Sequence, residues 1–241
     1  MPVVFALATV VSTFGGGLFA LRRKDKLHLI LGFTAGVLLG LVAFDLLPEV
    51  FRLARGSTAL GVPSVMITFA AGFLALHIVE RTVAMHPGHE NEYGDHHHRN
   101  IGLASAIALS THSFLDGVAI GLAFQAGQAV GVTVAVAVVA HDFADGLNTV
   151  GVMTAHGNAR RRTVVMLVID SLAPAFGALA TLWFTLPEGV LALYLGFFAG
   201  FLLYLATGDI LPEAHSRHPS RLTLVCTVSG VGLMWTVVGL S

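Results

Sequence analysis

Residues 100–124 read NIGLASAIALSTHSFLDGVAIGLAF, and residues 128–155 read QAVGVTVAVAVVAHDFADGLNTVGVMTA. Both runs are apolar, free of Lys and Arg, and long enough to cross a bilayer as a helix, which takes about 20 residues. Each nevertheless keeps a histidine and at least one aspartate at its centre. Ionisable groups at that depth are costly and mark function by default. The two centres share one pattern, H-x-F-x-D-G: His112-Ser-Phe-Leu-Asp116-Gly117 and His141-Asp-Phe-Ala-Asp145-Gly146. A short connection at 125–127 makes the two helices run in opposite directions.

Outward from this pair, six more apolar stretches can be drawn, giving eight in all at about 2–21, 28–52, 60–82, 100–124, 128–155, 162–184, 188–213 and 221–240. The composition agrees. Of the 241 residues, 55% are hydrophobic and 11% charged, against about 25% charged in soluble domains, and the mean hydropathy is +0.81. The expected fold is an all-α integral membrane protein of eight transmembrane helices, a single transmembrane domain over 1–241. A formal net charge of −1 excludes a nucleic-acid partner based on basic excess. Cys226 is the only cysteine, so neither an intramolecular disulfide nor a cysteine metal cage can form.

Basic residues set the expected orientation. Arg22, Arg23, Lys24 and Lys26, then Arg81 and Arg99, then Arg160 to Arg162, then Arg217 and Arg221 fall in odd-numbered connections, 11 of 13 in all. Arg52 and Arg55 are the two others. Odd connections are therefore expected in the cytoplasm and both termini outside, in a multi-pass protein of the inner or plasma membrane. The first stretch is expected to stay as a helix, because its basic cluster follows the apolar run. The connection near 83–99 holds His86, His89, His96, His97 and His98, a composition suited to weak metal binding on the cytoplasmic side.

Within or at the ends of the predicted helices lie Asp45, Glu49, Asp116, Asp142, Asp145, Asp170, Asp209 and Glu213, with no Lys or Arg expected deep enough to pair with them. Carboxylates in hydrocarbon must be protonated, hydrated or compensated. A bound or transported cation supplies the missing charge. On a helix, i and i+4 share a face, so His112 with Asp116 and His141 with Asp145 each project an imidazole and a carboxylate to one side. Facing each other, they make a tetrahedral set for Zn²⁺ or another first-row divalent ion. Ser113 and Asp142, one position on, and Asp170 on the sixth helix are candidates for a second cation beside the first.

A second duplicated pattern is Asp45-Leu-Leu-Pro48-Glu49 and Asp209-Ile-Leu-Pro212-Glu213. Each proline withholds a helical amide hydrogen, freeing a carbonyl beside an aspartate, as transporters do along a cation path. The copies lie on the second and seventh helices, an odd offset of five that opposes their orientations: Asp45 and Glu49 toward the outside, Asp209 and Glu213 toward the cytoplasm. This is the pattern of an inverted repeat, helices one to three against six to eight with four and five between.

HSFLDGVAIG at 112–121, HDFADGLNTV at 141–150, FDLLPE at 44–49 and YLATGDILPEAH at 204–215 together resemble the ZIP family of divalent-metal transporters, over essentially the whole chain. The resemblance implies a three-two-three bundle carrying Zn²⁺, Fe²⁺ or related ions toward the cytoplasm by alternating access, one helix bundle moving against another, often in a homodimer. It implies metal ligands at His112, Ser113, Asp116, His141, Asp142 and Asp145. No resident cofactor is expected; the divalent ion is cargo. Many members carry Glu where Asp145 stands, Asn where Ser113 stands, and Glu immediately before the sixth-helix proline. Here Ala173 precedes Pro174, with Asp170 one turn earlier. The competing reading is an intramembrane zinc hydrolase, in which zinc would activate water; the chain has no HExxH motif.

Overall fold

A computed structural model describes residues 2–22, 27–84, 99–216 and 220–240. The His-rich connection, with His86, His89, His96, His97 and His98, lies outside the described residues, as do Arg23 to Lys26 and Arg217.

Eight helical rods follow the eight apolar stretches. They are α1 (Pro2–Ala20), α2 (Leu27–Leu41, Val42–Leu46 and Leu47–Ala54 in one run), α3 (Ser64–Ala84), α4 (Arg99–Ala126) and α5 (Gln128–Ala155). Then come α6 (Arg160–Ala180), α7 (Glu188–Tyr204, Leu205–Ile210 and Leu211–Ser216) and α8 (Arg221–Leu240). Seven are long and apolar enough to cross a membrane. In α3 the apolar run among the described residues is Ser64–Val79. The whole helix, Ser64–Ala84, has 21 residues and rises about 31 Å, with Arg81 in its last turn.

The start of α3 also departs from the expected residue 60. Residues 58–63 form a hairpin, Thr58–Ala59 paired antiparallel with Val62–Pro63. Its two-residue turn, Leu60-Gly61, has φ of 52° and 79°. Two positive φ values are what a type I′ hairpin turn requires, and the helix begins only after Pro63.

The prolines of α2 and α7 do not simply kink their helices. In both, the turn before the proline widens into a π-helix, Val42–Leu46 and Leu205–Ile210. The Leu47 amide donates to the Val42 carbonyl, and the Leu211 amide to that of Ala206. Pro48 then sits in the first turn of the following segment, where its missing N–H costs nothing. π-Turns inside α-helices often stand at functional sites.

The helices pack as two groups. In one, α1 lies along α5 and α4 along α6, with α4 against α5 and α1 against α6; in the other, α2 lies along α8 and α3 along α7. The groups meet where α2 crosses α5 and α7 crosses α4. Each of the four long pairings is notched by reciprocal glycines. A Cβ on Gly16 would strike the Phe143 carbonyl and one on Gly146 that of Thr13; Gly117 and Gly177 face Pro174 and Phe114. Gly36 and Gly230 face Thr227 and Phe33, and Gly72 and Gly200 face Phe197 and Phe69, in the same way. Close backbone approach through small residues drives helix association where no hydrophobic gradient exists between helix and lipid. The most apolar window of α5 is 72% buried and that of α8 only 17%, so α5 is the central rod and α8 faces lipid.

Candidate metal centre

At the middle of the first group, the paired motifs face one another. The HxxxD spacing stacks His112 over Asp116 on α4 and His141 over Asp145 on α5, and all four side chains are buried. His112 Nε2 lies 3.2 Å from Asp116 Oδ2 and 3.8 Å from Asp145 Oδ2. His141 Nε2 lies 3.4 Å from Asp116 Oδ2 and 3.7 Å from Asp145 Oδ2. One ligand atom from each residue falls within 4.8 Å of all the others. Bonds of about 2.0–2.1 Å to a tetrahedral ion put neighbouring ligand atoms about 3.4 Å apart. The four nitrogen–oxygen edges are already near that length.

The polar atoms of the cluster lack other company. Both nitrogens of His112, Asp116 Oδ1, Asp142 Oδ1 and Asp145 Oδ2 are buried with no hydrogen-bond partner. A buried polar atom left unpaired costs about 1–3 kcal/mol, more if charged. Apart from the hydrogen bond between His141 Nε2 and Asp116 Oδ2 at 3.4 Å, the two imidazoles and two carboxylates converge with few partners, an arrangement suited to a cation. His141 is oriented as a ligand should be: its Nδ1 pairs with the Ala137 carbonyl at 3.1 Å, leaving Nε2 for the centre.

The residues expected to complete a second position make hydrogen bonds of their own. Asp142 is buried, 3.7 Å by Oδ1 from His141 Nε2, and its Oδ2 accepts from Thr13 Oγ1 at 3.3 Å. Asp170 accepts two short hydrogen bonds, from Ser113 Oγ at 2.7 Å and Thr149 Oγ1 at 2.6 Å. The Asp170 carboxylate therefore ties α6 to α4 and α5. Pro174, four residues on, withholds the amide hydrogen that the Asp170 carbonyl would otherwise accept. Ser113 Oγ lies within hydrogen-bond distance of both Asp170 Oδ1 and the Leu109 carbonyl, at 2.7 and 3.1 Å.

Away from the cluster, Asp45 sits on the π-turn of α2, half-buried, with Oδ2 lacking a hydrogen-bond partner. Glu49 corrects the expectation that the intramembrane acids have no basic partner. It is buried and accepts two hydrogen bonds from Arg52, 2.6 Å at Nε and 2.5 Å at Nη2. Arg55 pairs with Glu188 at the start of α7. Both basic residues that depart from the orientation pattern are thus engaged with acids. The side chains of Asp209 and Glu213 lie outside the described residues.

Three participants were not among the expected site residues. Thr13 and Thr149 supply hydroxyls to Asp142 and Asp170, and Phe201 of α7 stacks on His112. Thr149 stands one turn after Asp145, a same-face spacing that could have flagged it. Nothing in the sequence signals Phe201.

The family model described as "ZIP Zinc transporter" matches residues 84–237. The zinc transporter GufA of Myxococcus xanthus is 27% identical over 203 residues, 81% of this chain and 77% of that protein. The zinc transporter ZupT of Chlorobium chlorochromatii is 23% identical over 264 aligned residues, 96% of each chain. The mouse zinc transporter ZIP4 is 30% identical over 135 residues, 54% of this chain and 20% of that protein.

Proposed function

The chain belongs to the ZIP zinc-transporter family, and on that premise we propose that it carries divalent transition-metal cations across the membrane, bound by His112, Asp116, His141 and Asp145. Zinc is the first candidate cargo, with Fe²⁺, Mn²⁺ and Cd²⁺ accommodated by the same nitrogen and oxygen donors. The observation that carries this reading is the four buried ligand atoms, within 4.8 Å of one another and short of hydrogen-bond donors. Asp142 is a flanking carboxylate, and Asp170 with Ser113 a brace between helices. A hydrolase fits less well. Four protein ligands close a tetrahedral zinc site, whereas catalytic zinc keeps a position open for water.

Movement is toward the cytoplasm by alternating access. The inverted repeat is supported by the packing: α1 on α5 corresponds to α6 on α4, and α2 on α8 to α7 on α3, each with its reciprocal glycines. The π-turns fall at equivalent places, each leading into Leu-Pro-Glu. In this reading both termini are outside, Asp45 and Glu49 lie at the outer mouth, and Asp209 and Glu213 at the inner. All four ligands belong to the group α1, α4, α5, α6, so the ion travels with that group when it shifts against α2, α3, α7 and α8. A homodimer would use lipid-facing helices.

Zinc uptake into proteoliposomes tests the reading. Alanine at His112, Asp116, His141 or Asp145 should each abolish or severely reduce uptake by folded protein. Near-normal uptake by two of the four would overturn the assignment.

A further inference from the structure

The two ligand histidines are held by different means. His141 is fixed by a hydrogen bond from its own helix, Nδ1 to the Ala137 carbonyl. His112 has no such anchor: Nδ1 is buried without a hydrogen-bond partner, while Nε2 points toward Asp116. A ligating histidine ordinarily donates its second N–H to a carbonyl or carboxylate, which sets the ring's orientation. What lies against the His112 ring instead is Phe201, with centroids 5.1 Å apart and planes inclined by 25°.

Phe201 comes from α7, in the helix group that supplies none of the four ligands. Near the same place Tyr194 of α7 donates its hydroxyl to the Leu115 carbonyl of α4, at 3.4 Å. The α7–α4 crossing is therefore where the second group touches the metal centre.

We propose that Phe201 is a positioning residue for the cation site, holding the His112 imidazole in its ligating orientation so that metal affinity depends on where α7 stands against α4. The proposal rests on the reading of the four-residue cluster as the cation site. His141 keeps its orientation wherever α7 is, because its anchor lies within α5. His112 does not: sliding α7 along α4 removes the stacked face and frees the ring. One of four ligands is thus conditional on the placement of the two helix groups, which gives a tight site in one arrangement and a looser one after displacement.

The test uses the full-length protein in detergent with Co²⁺ alone as probe, since tetrahedral Co²⁺ reports its ligand geometry in its visible absorption. Stacked aromatic pairs are worth enough that Phe201→Leu should weaken Co²⁺ binding by about 2- to 10-fold and alter the band. Phe201→Trp, which keeps an aromatic face, should restore both. In proteoliposomes Phe201→Leu should raise the half-saturating metal concentration in proportion, without lowering the maximal rate. In a His112→Ala background, Phe201→Leu should change Co²⁺ binding no further, because the ring it positions is gone. Wild-type affinity and band in Phe201→Leu, or a further loss in the double variant, would overturn the proposal. Should Phe201→Leu fail to fold, Phe201→Met is read by the same criteria. His141→Ala separates the two claims: if it leaves the Co²⁺ band intact, the metal site itself is misplaced, whatever Phe201 does.

Discussion

Asp170 is where a ligand and a brace predict different outcomes. Its two oxygens accept from Ser113 at 2.7 Å and Thr149 at 2.6 Å, joining three helices. Hydrogen bonds to a charged acceptor contribute about 1.5–3 kcal/mol each in soluble proteins. Between helices in a bilayer the average is about 0.6 and the largest about 1.7 kcal/mol, because the reference state finds partners too. Loss of the carboxylate does not strand both donors, since Ser113 Oγ also lies 3.1 Å from the Leu109 carbonyl. Taking the upper membrane value for each bond, with that partial recovery, Asp170→Ala should cost about 2–3 kcal/mol of stability. Asp170→Asn keeps one acceptor, and its amide can donate to the second hydroxyl, so its cost should be about 1 kcal/mol or less. Thermal unfolding in detergent, paired with a zinc titration of the same samples, reads both quantities. A brace gives a destabilised Ala variant and an Asn variant whose zinc affinity stays within about threefold, well below the roughly tenfold that 1.4 kcal/mol represents. An Asn variant that melts normally but loses more than tenfold in affinity would refute the reasoning and make Asp170 a ligand.

Other expectations follow from single features. Gly146→Val should separate α1 from α5, because its side chain meets the Thr13 carbonyl backbone; overpacking costs about 1–3 kcal/mol, and a lowered unfolding temperature with impaired uptake checks it. Asp45→Asn should raise the external metal concentration for half-maximal uptake, since it weakens capture at the outer mouth; an unchanged value would remove Asp45 from the path. Serine at His86, His89, His96, His97 and His98 together should preserve transport, and complete loss in stable, inserted protein would contradict a modulating role for that connection.

The helices were legible because spanning a bilayer demands about 20 apolar residues, a constraint stronger than any propensity; α5 runs over the anticipated 128–155. The cluster was legible because the HxxxD repeat fixes two side chains on one face of each helix. What escaped depended on contacts between distant segments. Phe201 is one of 16 phenylalanines in an apolar chain, and only the α7–α4 crossing singles it out. Asp170 was expected as a further carboxylate of the site, but its hydrogen bonds with hydroxyls from two other helices carry no sequence signal. The Glu49–Arg52 pair was the opposite case: its i,i+3 spacing was present in the sequence, and an arginine at a helix end can reach back along its stem. The proline breaks were anticipated, but their π-helical form depends on the turn widening by one residue, which no composition signals.

The central claim is that one divalent ion is held by two imidazoles and two carboxylates at the crossing of α4 and α5. X-ray absorption of the purified protein loaded with one equivalent of Zn²⁺ tests it most directly. Two imidazole nitrogens and two carboxylate oxygens are expected at about 2.0–2.1 Å, with one imidazole's scattering lost in His141→Ala. An oxygen-only shell, or a spectrum unchanged by His141→Ala, would contradict it.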